Sequence, residues 1–199
     1  MRIRSGYLLL VGAFGLLSGC KKVCNSDDVP HYPLTAGLRA WSAPYPKDAV
    51  LRFRNASTGY VRSYRVAIAK AETRDIRYGV DPCPVHTQEY TSHTLERTDS
   101  TGGRDNKMLR FEVFATTTSR LKATFLIGST DCELPLLEVE DGSRVLAPAT
   151  FAGRTYPAVL GVRSSFAFSG PGVTLTMYLT KADGLIRFEE RGGTVWDRL

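Results

Sequence analysis

Leu109-Arg110-Phe111-Glu112-Val113 carries apolar side chains at its odd positions and charged ones at its even positions. Leu121-Lys122-Ala123-Thr124-Phe125 repeats the pattern. Successive side chains leave an extended chain on opposite sides, so a period of two predicts strands with one buried face and one wet face. Working outward, Tyr64, Val66 and Ile68 share a predicted face, with Arg65 on the other. Tyr156, Ala158, Leu160 and Val162 form another set, and Val173, Leu175, Met177 and Leu179 alternate with Thr174 and Thr176. Turn signals separate the runs: Asn55 to Gly59, Gly102-Gly103, Gly128-Ser129, Asp141-Gly142, Gly170-Pro171-Gly172, Asp183-Gly184 and Gly192-Gly193. Glycine supplies the positive φ that tight hairpins need. The expected fold is mainly β: an antiparallel meander forming a curved sheet, half-barrel or sandwich, following an N-terminal signal helix. A half-open barrel or strongly curved sheet is the preferred form. Ser26 to Asp48 contains Pro30, Pro33, Pro44 and Pro46 with no clean period, and is expected to be tether and lead-in coil.

The N-terminus reads differently. Arg2 and Arg4 precede an apolar run from Tyr7 to Leu17. That run is shorter than the roughly 20 residues a spanning helix needs. A charged start, a short apolar core and small residues at its end describe a cleaved export signal. The end, Leu17-Ser18-Gly19-Cys20, resembles the lipobox of bacterial lipoproteins. The resemblance implies that Cys20 carries a diacylglyceryl thioether and, after cleavage, an acylated amine. Two or more acyl chains make a stable anchor where one does not. The domain reading is therefore residues 1–19 as signal peptide, 20–48 as lipidated cysteine, tether and lead-in coil, and 49–199 as a single β-rich domain. Lys21 follows the cysteine where an aspartate would resemble an inner-membrane retention signal. The expected location is the cell envelope, at the outer membrane, with the membrane itself as partner through the lipid.

Composition supports one folded domain after the signal. The formal charge of +6 falls to +4 once Arg2 and Arg4 leave with the signal. That excess is mild and suits a solvated surface. An exported chain without a basic run interleaved with aromatics gives no reason to expect nucleic acid. Three cysteines remain after lipidation, Cys24, Cys83 and Cys132, in an oxidising compartment. Cys83 and Cys132 both read as loop residues of the domain, and the expected disulfide joins them. The alternative pairs Cys24 with Cys83 and pins the tether.

Catalytic patterns are sparse. His31, His86 and His93 lack metal-ligand spacing, and no metal or cofactor is expected. Ser119-Arg120-Leu121-Lys122 matches SxxK, but it opens an alternating strand where positions 119 and 122 point apart. A cluster of Asp131, Glu133, Glu138, Glu140 and Asp141 holds the only paired carboxylates considered; Glu138 and Glu140 would share a face if that stretch were a strand.

The C-terminal third carries a further resemblance. Gly153-Arg154-Thr155-Tyr156, then Gly184-Leu185-Ile186-Arg187-Phe188, then Gly193 with Trp196 and Leu199 are similar in cadence to the ending of small β-rich envelope lipoproteins of Gram-negative bacteria. Leu51 to Gly59 is similar to their first hairpin. That family has no assigned activity, so the resemblance implies location and fold alone. Tyr156, Phe188 and Trp196 are expected to close one end of the core. Three functions follow in order of preference: a non-enzymatic binding or scaffolding module of unknown ligand; a carrier of lipid or another apolar ligand in a curved-sheet cavity; an enzyme acting on envelope polymers through Glu138 and Glu140.

Overall fold

The structure is a computed structural model that describes residues 24, 28–80, 83–99, 108–117, 120–127, 130–164 and 173–199. The expected signal helix, Cys20, Ser119 and the turns at Gly102-Gly103, Gly128-Ser129 and Gly170-Pro171-Gly172 lie outside these residues.

The chain runs β1 (His31–Tyr32), α1 (Ala36–Ala40), β2 (Val50–Asn55), β3 (Val61–Ile76), β4 (His86–Arg97), β5 (Met108–Thr117), β6 (Arg120–Ile127) and β7 (Thr130–Glu133). It continues through α2 (Leu136–Glu140), β8 (Ala147–Phe151), β9 (Arg154–Arg163), β10 (Thr174–Thr180), β11 (Gly184–Glu190) and β12 (Val195–Arg198). The strands form one sheet in the order β7-β6-β5-β4-β3-β2-β12-β11-β10-β9-β8, with β1 added in parallel beside Thr87 and Gln88 of β4. Two meanders thus meet at an antiparallel seam between β2 and β12, where Asn55 pairs with Trp196. The sheet curls into a half-barrel. Its far regions approach each other, and Ser164 Oγ, just past β9, donates to the Asp131 carbonyl of β7 at 3.3 Å.

The alternating residues fill the concave side. Leu109, Phe111 and Val113 of β5 pair with Ile127, Phe125 and Ala123 of β6, and all six are buried. Two faces depart from simple alternation. A bulge between Val66 and Ile68 resets β3, so Ile68 turns outward while Tyr64 and Val66 stay buried. In β9, Tyr156 and Val159 join Ile186 in a small second cluster, while Leu160 enters the main core. The expectation that Tyr156 closes the core with Phe188 and Trp196 is corrected accordingly: Phe188 and Trp196 belong to the main core, with their rings 5.9 Å apart and stacked, and Tyr156 does not.

The lead-in coil is also corrected. Leu34, Leu38, Trp41 and Tyr45 are all buried and plug the concave side. Thr35 caps α1 by accepting a hydrogen bond from the Leu38 amide. Arg39 holds the helix to β4 through a forked ion pair with Glu89, which also accepts the Leu34 amide at 2.7 Å. Tyr45 reaches across the interior: its ring lies 5.2 Å from Phe111, and its hydroxyl accepts the Leu185 amide at 2.7 Å.

The expected Cys83–Cys132 disulfide is not formed. Cys83 bonds to Cys24. Cys132 keeps its thiol inside β7, opposite Phe125 in the core, where burial pushes its pKa up to about 11. Cys132 sits not in a loop but on the apolar side of a strand that faces the core.

Candidate binding cleft

A cleft of about 730 Å³ opens beside α2. It lies where the two ends of the curled sheet approach without forming a ladder. Thr116 of β5 and Lys122 of β6 form one wall, and Gly161, Val162 and Arg163 of β9 form the other. The floor comes from Leu134, Pro135 and Leu136, which lead from β7 into the helix. Leu134 and Leu136 face inward and are buried, so this short segment is tied to the core. Beyond α2 the chain folds back tightly: the Arg144 amide donates to the Glu138 carbonyl at 2.8 Å, and the Asp141 carboxylate accepts the Ser143 amide at 2.8 Å. This turn carries Arg144 to the rim.

Charge in the cleft is mixed. Lys122, Arg144 and Arg163 bring three cations, and Glu133 and Glu138 two carboxylates. Arg144 Nη1 lies 3.6 Å from Glu138 Oε2, so one pair is mutually neutralised. Both partners are well exposed, and such a pair contributes little to stability. Clefts of roughly 300–1,000 Å³ with apolar floors and a few polar groups are the usual shape of a ligand site.

The two glutamates considered from the sequence do not act together. Residues 136–140 are helical, and positions two apart on a helix point about 200° apart. Glu138 faces the cleft. Glu140 instead accepts the Trp41 indole N–H at 2.8 Å and an ion pair from Lys181 at 2.7 Å. Burial draws the Glu140 pKa upward, but the hydrogen bonds from Lys181 and Trp41 outweigh it and hold the carboxylate below its ordinary range. Its task is to join α1, α2 and the β10–β11 turn.

The histidines are dispersed. His31 Nδ1 lies 2.8 Å from the Thr87 hydroxyl, and His86 packs its ring against Tyr32. His93 lies under the plug with Nδ1 2.8 Å from the Tyr45 carbonyl, and burial lowers its pKa. Of the SxxK match, Lys122 lines the cleft and Ser119 lies outside the described residues. Asp131 and Glu133 alternate with Cys132 on the exposed side of β7. Arg144 and Arg163 carry no motif. They meet Lys122 only because the sheet curls, and no local spacing could reveal that.

No family model matches this chain, and no curated protein or solved structure is significantly similar to it.

Proposed function

We propose that this protein is a lipid-anchored envelope lipoprotein whose domain works by binding, and that the cleft beside α2 receives an anionic group of its ligand. The observation that carries this reading is the cleft's chemistry. An apolar floor of Leu134, Pro135 and Leu136 lies among Lys122, Arg163 and Glu133 while Arg144 and Glu138 satisfy one another, which leaves the cleft with a net positive charge. A binding role also suits the filled concave side. Trp41 and Tyr45, both fully buried, occupy the space in which a curved-sheet carrier would hold an apolar ligand.

The location rests on Cys20 and its lipobox-like surroundings. Lys21, in place of an acidic residue, favours the outer membrane. The Cys24–Cys83 bond suits an oxidising compartment.

The test has two arms. Cys20→Ser should abolish acyl labelling and membrane partition; retention of both rejects the anchor. A heparin-derived hexasaccharide, standing in for an acidic envelope glycan, should bind the protein at low salt. The double variant Lys122→Ala, Arg163→Ala should bind it about tenfold more weakly, the equivalent of about 1.4 kcal/mol. Equal affinity in both proteins rejects the cleft.

A further inference from the structure

Residues 77–80 leave β3 and residues 83–85 lead into β4, at the tip of the longest hairpin among the described residues. Three large apolar side chains stand in solvent there. Tyr78 is 66 % exposed, Val85 is 48 % exposed, and Val80 is wholly exposed. Gly79 turns the chain between Tyr78 and Val80 with a φ of 65°. Exposed apolar groups gathered in one place, instead of scattered singly, are a feature of contact surfaces.

The disulfide says what that surface meets. Cys83 belongs to the same tip, and its Cα lies 5.4 Å from that of Cys24. Cys20 precedes Cys24 by four residues. An extended chain advances at most about 3.6 Å per residue, so Cys20 sits within ~14 Å of Cys24. An anchor at Cys20 therefore holds the tip against the surface into which its acyl chains insert.

We infer that the β3–β4 tip is a second membrane contact, with Tyr78, Val80 and Val85 entering the headgroup–acyl boundary beside the lipid anchor. The inference rests on the anchor reading given above. Tyrosine suits this boundary because its ring is apolar and its hydroxyl is wet. Apolar burial drives the contact, because the neighbouring cation Arg77 already pairs with Asp75 at 3.2 Å. Zwitterionic membranes therefore serve as well as anionic ones, and added salt leaves the contact in place. The two attachments act together: once the lipid is inserted, the tip meets the bilayer without a separate association step. The protein is thereby held in one orientation instead of swinging on its tether.

The experiment uses the acylated full-length protein in vesicles of phosphatidylethanolamine or phosphatidylcholine with brominated acyl chains. Trp41 and Trp196 are buried out of reach of the quencher, so their emission in the unsubstituted protein is the constant background to be subtracted. Val80→Trp places an indole at the tip, and Ser57→Trp places one in the β2–β3 turn at the other end of β3. At a depth of about 5–10 Å, roughly half of the tip indole's emission should be lost. The indole at position 57 should keep its emission. Amide exchange at residues 77–80 of the unsubstituted protein should slow on vesicles relative to the Cys20→Ser protein free in solution. An acylated Cys20 with no tip quenching and no exchange protection overturns the inference and leaves the anchor standing. Equal quenching at both positions overturns it as well. An unacylated Cys20 overturns the anchor reading and the inference with it.

Discussion

Gly184 shows how tightly single residues constrain this interior. It begins β11 with a φ of 72°, in the left-handed region that L side chains rarely adopt. A Cβ at this position would lie 2.5 Å from the Tyr45 hydroxyl and 3.0 Å from Pro44 Cβ. The Tyr45 hydroxyl is the group that receives the Leu185 amide. Gly184→Ala therefore strains the turn and displaces the acceptor of a buried N–H. Either effect alone costs about 1–3 kcal/mol, and the measured loss of unfolding free energy should reach at least that range. Tyr45→Phe separates the two effects. It keeps the ring and removes the acceptor, so its loss should be the smaller of the two. If denaturation midpoints for both variants match wild type, the Tyr45–Leu185 contact does not support the core. The same burial raises the Tyr45 pKa and keeps its hydroxyl protonated.

At the scale of elements, α1 and α2 depend on one carboxylate. Glu140 joins Trp41 and Lys181, and Asp99 plays a similar part at the other end of β3, where Arg97, Tyr60 and the Ser63 amide surround it. For both residues burial alone would raise the pKa, and the hydrogen bonds lower it further than burial raises it. A carboxyl with a lowered folded-state pKa stabilises the fold above its unfolded pKa, near 4 for these residues, and loses that contribution as pH falls through the folded value. Stability should therefore drop on acidification below about pH 4. Glu140→Gln should flatten part of that slope while lowering stability at neutral pH. Asp197 runs the other way: burial raises its pKa against the pull of Arg187, so it gives back a little stability on acidification. An unfolding free energy of Glu140→Gln with the same pH slope as wild type would remove Glu140 from this role.

Elements also show what the sequence makes legible. β5 and β6 are visible because every second residue does the same thing, and their register follows. The plug is hard to see in the sequence because four prolines interrupt the stretch. Leu34, Leu38, Trp41 and Tyr45 nevertheless recur at intervals of four, three and four, the spacing of a helical face. Only Leu38 of the four lies within α1, so the spacing is carried by coil as much as by helix. A strand's period does not apply to Glu138 and Glu140, whose stretch turns once as a helix. Ile68 was misplaced by a bulge that no local pattern announces. The cleft was not legible at all, since Lys122 and Arg163 come from strands that meet only after the sheet has curled.

At the scale of the whole molecule, the Cys24–Cys83 bond closes a loop across a separation of 59 residues. Loop-closure entropy gives such a link an upper value of about 4 kcal/mol. The paired variant Cys24→Ser, Cys83→Ser should lose stability up to that amount. In that variant the Cys132 thiol should stay unreactive to thiol reagents until the protein unfolds, because burial holds it protonated. Rapid labelling of Cys132 itself, located by peptide mapping of the native variant, would contradict the burial of β7.

The same bond decides how the protein bears tension. If Cys20 carries the lipid proposed above, a pull on that anchor reaches the described fold first at Cys24. Without the disulfide it would pass along the backbone to β1 and α1 and draw the plug out one residue at a time, as a zipper opens. With it, the pull crosses to Cys83 and enters β4 three residues before His86. It then acts lengthwise along β4, against β3 on one side and β5 on the other. Those hydrogen bonds resist in shear, many at once, and Trp41 and Tyr45 lie off the line of force.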